Sequence, residues 1–463
     1  MRASGQILLV SCYELGHQPF HLASLQSWLR KAGYAPLLVD TAVESLTDEA
    51  ILNARFVGIS VPMHTALRLG ERLAQRVRSL NPSAHICFYG LYASLNADYL
   101  LQGTIDSAIG GEYEGPLLQL IAALEQGQSA AIAGVSTSYH SSNPWIQRIP
   151  FLVPERRQLP SLDRYAHLQL NGKSVLAGYT ETTRGCKHTC QHCPITPVYR
   201  GRFFAIPLEV VMADIRAQIG QGARHITFGD PDFFNGPTHA LRITRALHAE
   251  YPQVTFDATI KIEHLLKHRD LLPELHDLGC AFIVSAVESI NDDVLNQLDK
   301  GHTAADVATA FDVMAEVGIP LRPSLMPFSP WETLDSYIAL LNFFEERRLI
   351  EHVDPVHFSI RLLIPPGSAL LDSVEDKAWL GEPDPAAYSY HWQHPDGRMD
   401  VLQHEVAASV EQAQLNQADP IETFFHIKGL ALAANGQEMC VSCGVKDYGT
   451  KKILPHLSES WFC

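Results

Sequence analysis

Short apolar runs alternate with amphipathic helical patterns along most of this chain, and they do so in two successive series. The first series covers residues 1–128, and the second begins near residue 176. Strands that are apolar along nearly their whole length are buried on both faces, so each series predicts a mainly parallel α/β sheet covered by helices. A length of 463 residues favours two or three domains over one core.

The first series predicts a doubly wound parallel sheet. Its strand candidates are ILLVS (7–11), APLLVD (35–40), FVGISV (56–61), HICFYG (85–90) and SAIGG (107–111). Ligands of such sheets bind beyond the carboxyl ends of the strands. The loops expected at a ligand site are therefore CYELGH (12–17), PMH (62–64), GLYA (90–93) and GGEYE (110–114).

The second series predicts a full or partial (β/α) barrel. Its strand candidates are SVLAGYTE (174–181), HITFGD (225–230), QVTFDATI (253–260), AFIVSAVE (281–288), IPLRPSLM (319–326) and VHFSIRLL (356–363). The intervening stretch is rich in proline and polar residues, which is typical of a linker. The expected organisation is a first domain at 1–140, a linker at 141–175, a barrel at 176–375 and a small carboxyl-terminal extension at 376–463.

Three cysteines follow the first barrel strand at the spacing C-x3-C-x2-C. Cys186, Cys190 and Cys193 could bind three irons of a [4Fe–4S] cubane and leave the fourth iron open. The alternative is a structural zinc loop, in which His188 or His192 supplies a fourth ligand. The position at the carboxyl end of a barrel strand, where barrels place their chemistry, favours the catalytic cluster.

With this loop, residues 176–370 resemble the radical S-adenosylmethionine (SAM) superfamily. Phe228-Gly229-Asp230 resembles the segment that contacts the SAM amino group, with Asp where Glu is usual. Val287-Glu288-Ser289 resembles a G-x-E-S segment, and Lys300-Gly301-His302-Thr303 resembles the K-x-H-T stretch after it. His192 stands where an aromatic side chain commonly faces the adenine.

The resemblance implies a [4Fe–4S] cluster and SAM as cofactors. It implies Asp230 and Glu288 as catalytic, SAM-orienting carboxylates. The other implied SAM contacts are His192, Phe228, Gly229 and Ser289. An electron donor such as flavodoxin or ferredoxin is the implied protein partner.

Residues 1–128 resemble the cobalamin-binding domains that precede many radical SAM domains. The implied cobalamin contacts are Ser60, Pro62, Gly90, Gly111 and Glu112. The D-x-H-x-x-G motif of histidine-ligated cobalamin proteins is absent, and His17 and His64 are interpreted as ordinary loop histidines. The alternative is a domain that binds no cofactor and only packs against the barrel.

The carboxyl-terminal region carries Cys440, Cys443 and Cys463. The chain resembles a radical SAM subgroup named for a tail of Cys-Sec-Ala-Glu-Pro or Cys-Cys-Ala-Glu-Pro (CUAEP/CCAEP). Here the sequence stops at Cys463, which indicates either a selenocysteine UGA codon interpreted as a stop or a naturally shorter tail. The thiols could bind a soft substrate, hold a second metal centre or act as a redox relay. A substrate role requires the Cys440–Cys443 pair on the Cys186 side of the barrel.

Charge and composition argue against several classes of partner, without excluding nucleic acid. The formal net charge of −16 argues against nucleic acid, whose phosphates it would repel. No run of about 18 apolar residues predicts a membrane span, so we expect a cytoplasmic protein with no membrane partner. Cys12, Cys87 and Cys280 stand beside apolar residues and are interpreted as core residues.

The function expected from these features is SAM-dependent alkylation, with methylation of an unknown small-molecule substrate as the leading hypothesis. In this hypothesis a 5′-deoxyadenosyl radical abstracts hydrogen from the substrate and methylcobalamin donates the methyl group. A second hypothesis is transfer of a methyl or 3-amino-3-carboxypropyl group to a thiol-bound metalloid such as trivalent arsenic. A third, non-enzymatic hypothesis is a cobalamin or metal carrier.

Overall fold

A six-stranded sheet occupies the amino-terminal part of the computed structural model, which describes residues 1–128, 131–373, 377–449 and 453–459. Its strands are β1 (Ile7–Ser11), β2 (Leu37–Asp40), β3 (Phe56–Ser60), β4 (His85–Tyr89), β5 (Ser107–Ile109) and β6 (Val135–Thr137). Its helices are α1 (Phe20–Lys31), α2 (Asp48–Asn53), α3 (His64–Leu80), α4 (Leu91–Leu95), α5 (Ala97–Leu100) and α6 (Glu114–Glu125). The strand order is β2-β1-β3-β4-β5-β6, and only β6 pairs antiparallel within this sheet.

The two faces of this sheet are covered by two separate hydrophobic cores. Leu8 and Val10 of β1 enter one core, whereas Ile7 and Leu9 enter the other. A strand with both faces buried has no polar alternation, which is why β1 appears as a continuous apolar run. The doubly wound sheet predicted from the sequence is confirmed. Its strand order reverses between β1 and β3, which is where such sheets form their ligand crevice.

The second sheet is a curled half-barrel. Its strands are β7 (His167–Leu170), β8 (Lys173–Thr180), β11 (His225–Phe228), β12 (Thr255–Thr259), β13 (Cys280–Glu288), β14 (Leu321–Leu325) and β17 (His456–Leu457), in the order β14-β13-β12-β11-β8-β7-β17. A separate hairpin holds β9 (Thr183–Gly185) and β10 (Phe203–Ala205). The helices of this part are α7 (Ile195–Tyr199), α8 (Leu208–Gly220), α9 (Pro237–Glu250), α10 (Ile262–Lys267), α11 (Leu272–Asp277), α12 (Asp292–Gln297), α13 (Ala304–Val317) and α14 (Leu334–Glu346). The predicted partial barrel is thus confirmed.

The sixth predicted barrel strand, 356–363, is not a strand. Residues Pro355–Phe358 form a 3₁₀ helix, and the segment makes an isolated parallel bridge between Arg361 and Phe328, which lies just beyond the end of β14. The carbonyl oxygen of Leu362 accepts a hydrogen bond from Trp392 Nε1 at 2.8 Å. The pattern predicted a strand because the segment is apolar, but here it packs against the carboxyl-terminal extension.

The carboxyl-terminal extension is mostly helical. It contains α15 (Leu370–Ser373), β15 (Leu380–Asp384), β16 (Ser389–Trp392), α16 (Gly397–Leu415), α17 (Pro420–Ala434) and α18 (Val441–Tyr448). Helix α17 packs against α14, so it forms part of the layer outside the barrel. The short strand β17 instead returns to the sheet and pairs antiparallel with β7.

The predicted linker 141–175 contains β7, which pairs antiparallel with β8 and widens the half-barrel. The domain boundaries themselves stay predictions. Cys12, Cys87 and Cys280 are buried in the apolar cores. Among the described residues, no helix combines the length and hydropathy needed to span a membrane.

Gly111 fixes a tight contact at the carboxyl end of β5. Its φ is +76°, and a Cβ atom there would lie 2.3 Å from the carbonyl oxygen of Trp145. We expect Gly111→Ala to lower the free energy of unfolding by about 2 kcal/mol or more, because both the backbone strain and the clash oppose it. Urea denaturation measures this change.

Gly115 provides the matched control. It lies in α6, and nothing lies within 4 Å of a Cβ built on it. Gly115→Ala should raise the free energy of unfolding by up to about 1 kcal/mol. Equal effects of the two substitutions would contradict this description of the β5 end.

Candidate functional site

A cavity of about 350 Å³ lies where the barrel interior meets the amino-terminal sheet. Its walls come from the cysteine loop, from the inner face of the barrel strands, and from the loops after β1 and β4. The carboxyl-terminal segment 453–459 closes part of the remaining side, since His456, Leu457 and Glu459 also line the cavity. Parts of the chain that are distant in sequence therefore line one cavity.

Alternation along the barrel strands decides which side chains face this cavity. Asp257 of β12 and Arg322 of β14 line it. Their sequence neighbours Phe256 and Leu321 belong to the core between the barrel and its helices. A period of two is what a strand imposes, so a polar residue in these apolar runs indicates the inner face.

The cysteine loop begins directly after β9, at the carboxyl end of the barrel. The side chain of Asn235 holds it, because its amide nitrogen donates to the carbonyl oxygen of Gly185 at 3.1 Å and its oxygen accepts from the backbone N–H of Lys187 at 3.1 Å. The backbone N–H of Cys193 donates to the carbonyl oxygen of Cys190 at 3.2 Å, which closes a turn between these two ligand candidates. All three predicted cysteines, Cys186, Cys190 and Cys193, line the cavity.

The three thiols fit an iron–sulfur cluster better than a single zinc ion. Burial raises the pKa of Cys186 to about 12 and that of Cys193 to about 11, so their thiolates need a compensating cation. Their sulfur atoms do not all lie within 4.8 Å of one another. Two thiolates on one zinc ion, at about 2.3 Å each, cannot be farther apart than about 4.6 Å. A cubane, with one iron per thiolate, spans more.

His188 groups with Asp232 and His264, whose ligand atoms lie within 4.8 Å of one another, and not with the three cysteines. Its Nε2 lies 3.1 Å from Asp232 Oδ2, and its Nδ1 lies 3.3 Å from the Lys261 ammonium. An ammonium only donates, so Nδ1 accepts and Nε2 donates its proton to Asp232. His264 Nδ1 lies 2.5 Å from the same carboxylate oxygen. Burial opposes ionisation of Asp232, but these histidines lower its pKa to about 2.

Glu288 sits between two cationic or proton-donating groups beside the cysteine loop. Lys300 Nζ donates to its Oε1 at 3.0 Å, and His192 Nε2 lies 3.3 Å from the same atom. Although burial opposes ionisation, Lys300 and His192 hold the pKa of Glu288 well below its ordinary value. The φ of Glu288 is +67°, a strained value that is typical of functional positions. The structure brings the predicted His192 and Glu288 together in the cavity wall.

Asp230 anchors the start of the cysteine loop. Its carboxylate accepts from Thr182, through the backbone N–H at 2.9 Å and the hydroxyl at 2.7 Å, and from the Thr183 hydroxyl at 2.6 Å. Burial raises the pKa of Asp230 to about 7. Asp230 lines the cavity, and its contact with SAM stays a prediction. Gly229 must be glycine because a Cβ would lie 1.9 Å from the Tyr179 hydroxyl oxygen.

Of the other predicted SAM contacts, Phe228 lies in the cavity wall and Ser289 lies outside it. Phe228 lines the cavity and stacks on Phe233 at a centroid distance of 4.8 Å. Ser289 is not in the cavity wall; its hydroxyl donates to Glu332 Oε2 at 2.8 Å. A direct SAM contact by Ser289 is therefore not favoured in this arrangement, since its side chain is turned to Glu332.

The predicted cobalamin contacts lie at the strand ends of the first sheet but outside the cavity wall. They are Ser60, Pro62, Gly90, Gly111 and Glu112. The first domain instead contributes Leu15, His17 and Tyr92, from the loops CYELGH and GLYA. The sequence predicts these loops as ligand sites from their position after β1 and β4. It does not predict that Leu15, His17 and Tyr92 are the residues that line the cavity, and it interprets His17 as an ordinary loop histidine. His64 does behave in that way, because its Nε2 lies 2.7 Å from the carbonyl oxygen of Ala387, outside the cavity wall.

A buried ion cluster joins the first domain to the cysteine loop. Arg184, two residues before Cys186, lies 2.6 Å from Glu114, 3.3 Å from Glu112 and 3.2 Å from Glu181. Tyr199, in the helix after the loop, donates to Glu112 at 2.9 Å. Burial raises the pKa of Glu112 to about 7. Glu112 thus has a structural role in the interface between the two sheets.

The expectation that Cys440 and Cys443 face the cluster is wrong. They form a disulfide at the start of α18, are exposed, and do not line the cavity. The reason is the docking of α18 through Tyr448, whose hydroxyl accepts from the backbone N–H of Ile350 at 3.1 Å and donates to Glu351 at 2.6 Å. These contacts hold the helix on the outer layer near the end of α14.

The segment 453–459 is the part of the carboxyl-terminal region that reaches the cavity. The backbone N–H of Ser458 donates to the carbonyl oxygen of His167 at 2.8 Å, and Glu459 accepts from the Tyr13 hydroxyl at 2.6 Å. The segment therefore bridges the half-barrel and the first domain. Cys463 lies outside the described residues.

Comparison with known proteins identifies the barrel. Residues 180–344 match the model of the Radical SAM superfamily. They form a radical SAM domain. Such a domain carries a [4Fe–4S] cluster and uses SAM. The assignment of Cys186, Cys190 and Cys193 as the ligands of this cluster stays a prediction.

Curated relatives match part of the chain. The ribosomal protein uS12 methylthiotransferase RimO of Geobacter sulfurreducens is 26% identical over 230 residues, which is 43% of this chain and 48% of that protein. The tRNA-2-methylthio-N(6)-dimethylallyladenosine synthase of Desulfosudis oleivorans is 26% identical over 199 residues, covering 41% of this chain and 42% of that one. The chain spans about half the length of these relatives or less.

Two solved structures share the fold across nearly the whole chain. The cobalamin-dependent SAM radical enzyme OxsB with aqua-cobalamin bound superposes with a TM-score of 0.73 at 15% identity, over 96% of this chain and 74% of that one. The radical SAM methyltransferase TsrM of Kitasatospora setae superposes with a TM-score of 0.69 at 16% identity, over 96% and 98%. The arrangement of first domain, radical SAM domain and extension is therefore a known one.

His17 should make stability depend on pH in a defined window. Its ring packs 4.7 Å from that of Tyr179, and burial lowers its pKa to about 4. The unfolded chain, with a histidine pKa near 6.5, binds more protons between about pH 4 and 6.5. The free energy of unfolding should therefore fall as the pH is lowered through this window, and His17→Gln should make that fall shallower.

Urea denaturation at several pH values between 4.5 and 6.5 measures the effect. The exposed His391 offers a control, and His391→Gln should leave the slope as in the wild type. A His17→Gln slope equal to that of the wild type would contradict a neutral, buried His17.

Proposed function

We propose that this chain is a cobalamin-dependent radical SAM enzyme that transfers a methyl group to a small-molecule substrate. The observation that carries the proposal is the shared cavity: Cys186, Cys190 and Cys193 line one part of its wall, and Leu15, His17 and Tyr92 of the first domain line another. A substrate in this space would touch both the cluster side and the first domain, as a transfer between the two requires.

When bound, the cluster would supply one electron to SAM and cobalamin would supply the transferable methyl group. The residues of this chain hold the cofactors and orient the groups around them. The three cysteines bind the cluster, and Lys300 keeps Glu288 ionised beside it. Asp230 and Asn235 fix the two ends of the strand that leads into the loop.

Two observations support cobalamin as the second cofactor. OxsB and TsrM, whose fold this chain shares, are described in solved structures with cobalamin bound. The carboxyl ends of β1 and β3, where a doubly wound sheet binds its ligand, lie at the barrel side of the first domain. Ser11 ends β1 with a buried hydroxyl oxygen that has no hydrogen-bond partner among the described residues. A ligand at this crevice would satisfy it.

The other hypotheses receive less support. Transfer to a metalloid was motivated by the thiols of Cys440 and Cys443, which are joined to each other outside the cavity wall. Methylthio transfer, the activity named for RimO, rests on relatives that match less than half of this chain. A carrier without catalysis does not require three cysteines in the wall of a cavity.

Anaerobic reconstitution with iron, sulfide and hydroxocobalamin tests the proposal. The full-length protein should retain cobalamin through gel filtration and form 5′-deoxyadenosine or S-adenosylhomocysteine from SAM under reducing conditions. Replacing Cys186, Cys190 and Cys193 by alanine should remove the cluster iron and SAM turnover, because each thiolate is expected to bind one iron.

The control is the double variant Cys440→Ser/Cys443→Ser, which removes two cysteines from the exposed disulfide and should keep the cluster iron. Unchanged iron and sulfide content in the triple alanine variant would refute the cluster assignment. Loss of all cobalamin from the wild-type protein on gel filtration would refute the second cofactor.

A further inference from the structure

The cavity has a second polar end, away from the cysteine loop. We call the set Arg322, Asp354, His357 and His456 the Arg322 end; all four residues line the cavity. Arg322 is three residues before Leu325 in β14, and Leu325 pairs with Glu288. At about 3.3 Å per residue, the Arg322 end lies about 10 Å from the level of Glu288.

Arg322 is buried, but its guanidinium uses only part of its capacity to donate hydrogen bonds to the described residues. It is 8% exposed, and its Nη2 donates to Asp354 Oδ1 at 2.8 Å. This is the hydrogen bond that its guanidinium makes among the described residues, although the group has five N–H donors. A buried guanidinium with donors to spare on a cavity wall is costly unless a ligand accepts from them.

The other cations of the cavity wall are engaged within the chain. Lys300 donates to Glu288. Arg361 donates to Asp400 at 2.7 Å and to the carbonyl oxygen of Trp392 at 2.8 Å. Lys261 lies 3.2 Å from Glu263. Arg322 is therefore the cation of this wall with the most unused donor capacity in the part of the chain that the structure describes.

Asp354 pairs with the Arg322 guanidinium, and two histidines of the same cavity wall act on Asp354. Burial opposes ionisation of Asp354, but Arg322, His357 and His456 lower its pKa, which places both histidines within electrostatic reach of this ion pair. His456 Nδ1 lies 2.9 Å from the carbonyl oxygen of Leu454, so this nitrogen carries a proton. Asp354 thus orients the guanidinium, and the segment 453–459 brings a further polar ring to the same place.

We propose that Arg322 binds an oxyanion of the substrate, a carboxylate or a phosphate, flanked by His357 and His456. The inference rests on the proposed function for the reacting atom, which must lie near the cluster. The substrate class is then an anionic small molecule whose acidic group binds at the Arg322 end of the cavity, away from the cysteine loop. Guanidinium groups bind such oxyanions through two parallel hydrogen bonds, which gives orientation as well as affinity.

Equilibrium dialysis with radiolabelled succinate and inorganic phosphate tests this inference on the reconstituted full-length protein. We expect one of the two probes to bind at about one per chain and to compete with its unlabelled form. Preference for succinate identifies a carboxylate, and preference for phosphate identifies a phosphoryl group. Arg322→Gln should weaken the binding at least tenfold, because it removes the charge and the paired donors.

Two further variants complete the experiment. Arg245→Gln removes an exposed arginine that pairs with Glu274 and should bind the probe like the wild type. His456→Ala alters only the short segment at the cavity edge and should weaken binding about threefold. If Arg322→Gln fails to fold, the His456→Ala result decides, and an unchanged affinity would overturn the inference.

The outcomes separate this inference from the proposed function. A wild-type protein that turns over SAM but binds neither probe, or binds one equally after Arg322→Gln, refutes the oxyanion site alone. A protein that binds the probe through Arg322 but does not turn over SAM refutes the proposed function and leaves the oxyanion site standing.

Discussion

The buried Arg184 is the contact on which the shared cavity depends. Arg184 belongs to β9, the strand that leads into the cysteine loop. Its guanidinium pairs with Glu112 and Glu114 of the first domain and with Glu181 of the barrel. Burying a charge is expensive unless it is paired, and removing one partner of such a set leaves the others uncompensated. The ion pairs of Arg184 therefore fix how the cysteine loop packs against the first domain. Without that fixed relation, the loops after β1 and β4 would not close the cavity.

Local patterns in the sequence predicted the parts of the fold that depend on local physics. Continuous apolar runs identified the strands of both sheets, and the C-x3-C-x2-C spacing identified three cysteines that line one cavity in the structure. The same reasoning wrongly predicted a strand at 356–363. Its apolar residues are buried partly in the core shared with the outer helices and partly against the hairpin of β15 and β16, without pairing along the half-barrel sheet. A hydrophobic pattern predicts that a segment is buried, but it does not predict which element the segment packs against.

The parts of the site that escaped prediction depend on contacts between residues far apart in sequence. His17 stands in the cavity only because the first domain docks on Tyr179. Arg322 could have been noticed as a charge within an apolar strand, since alternation puts it on the inner face. The return of 453–459 to the barrel had no sequence signal, because β17 has two residues. The thiol chemistry of the cysteines in the same region predicted a ligand site there, but α18 keeps the Cys440–Cys443 pair on the outer layer.

The central claim is that the cluster and cobalamin border one cavity, and the magnetic interaction between them tests it most directly. Full-length protein loaded with both cofactors would be studied by EPR with cobalamin in the cob(II)alamin state, before and after reduction of the cluster. Two paramagnets on the walls of a cavity of about 350 Å³ lie close together, so the account predicts that cluster reduction broadens or splits the cob(II)alamin signal. A spectrum equal to the sum of the two isolated signals would contradict the shared cavity.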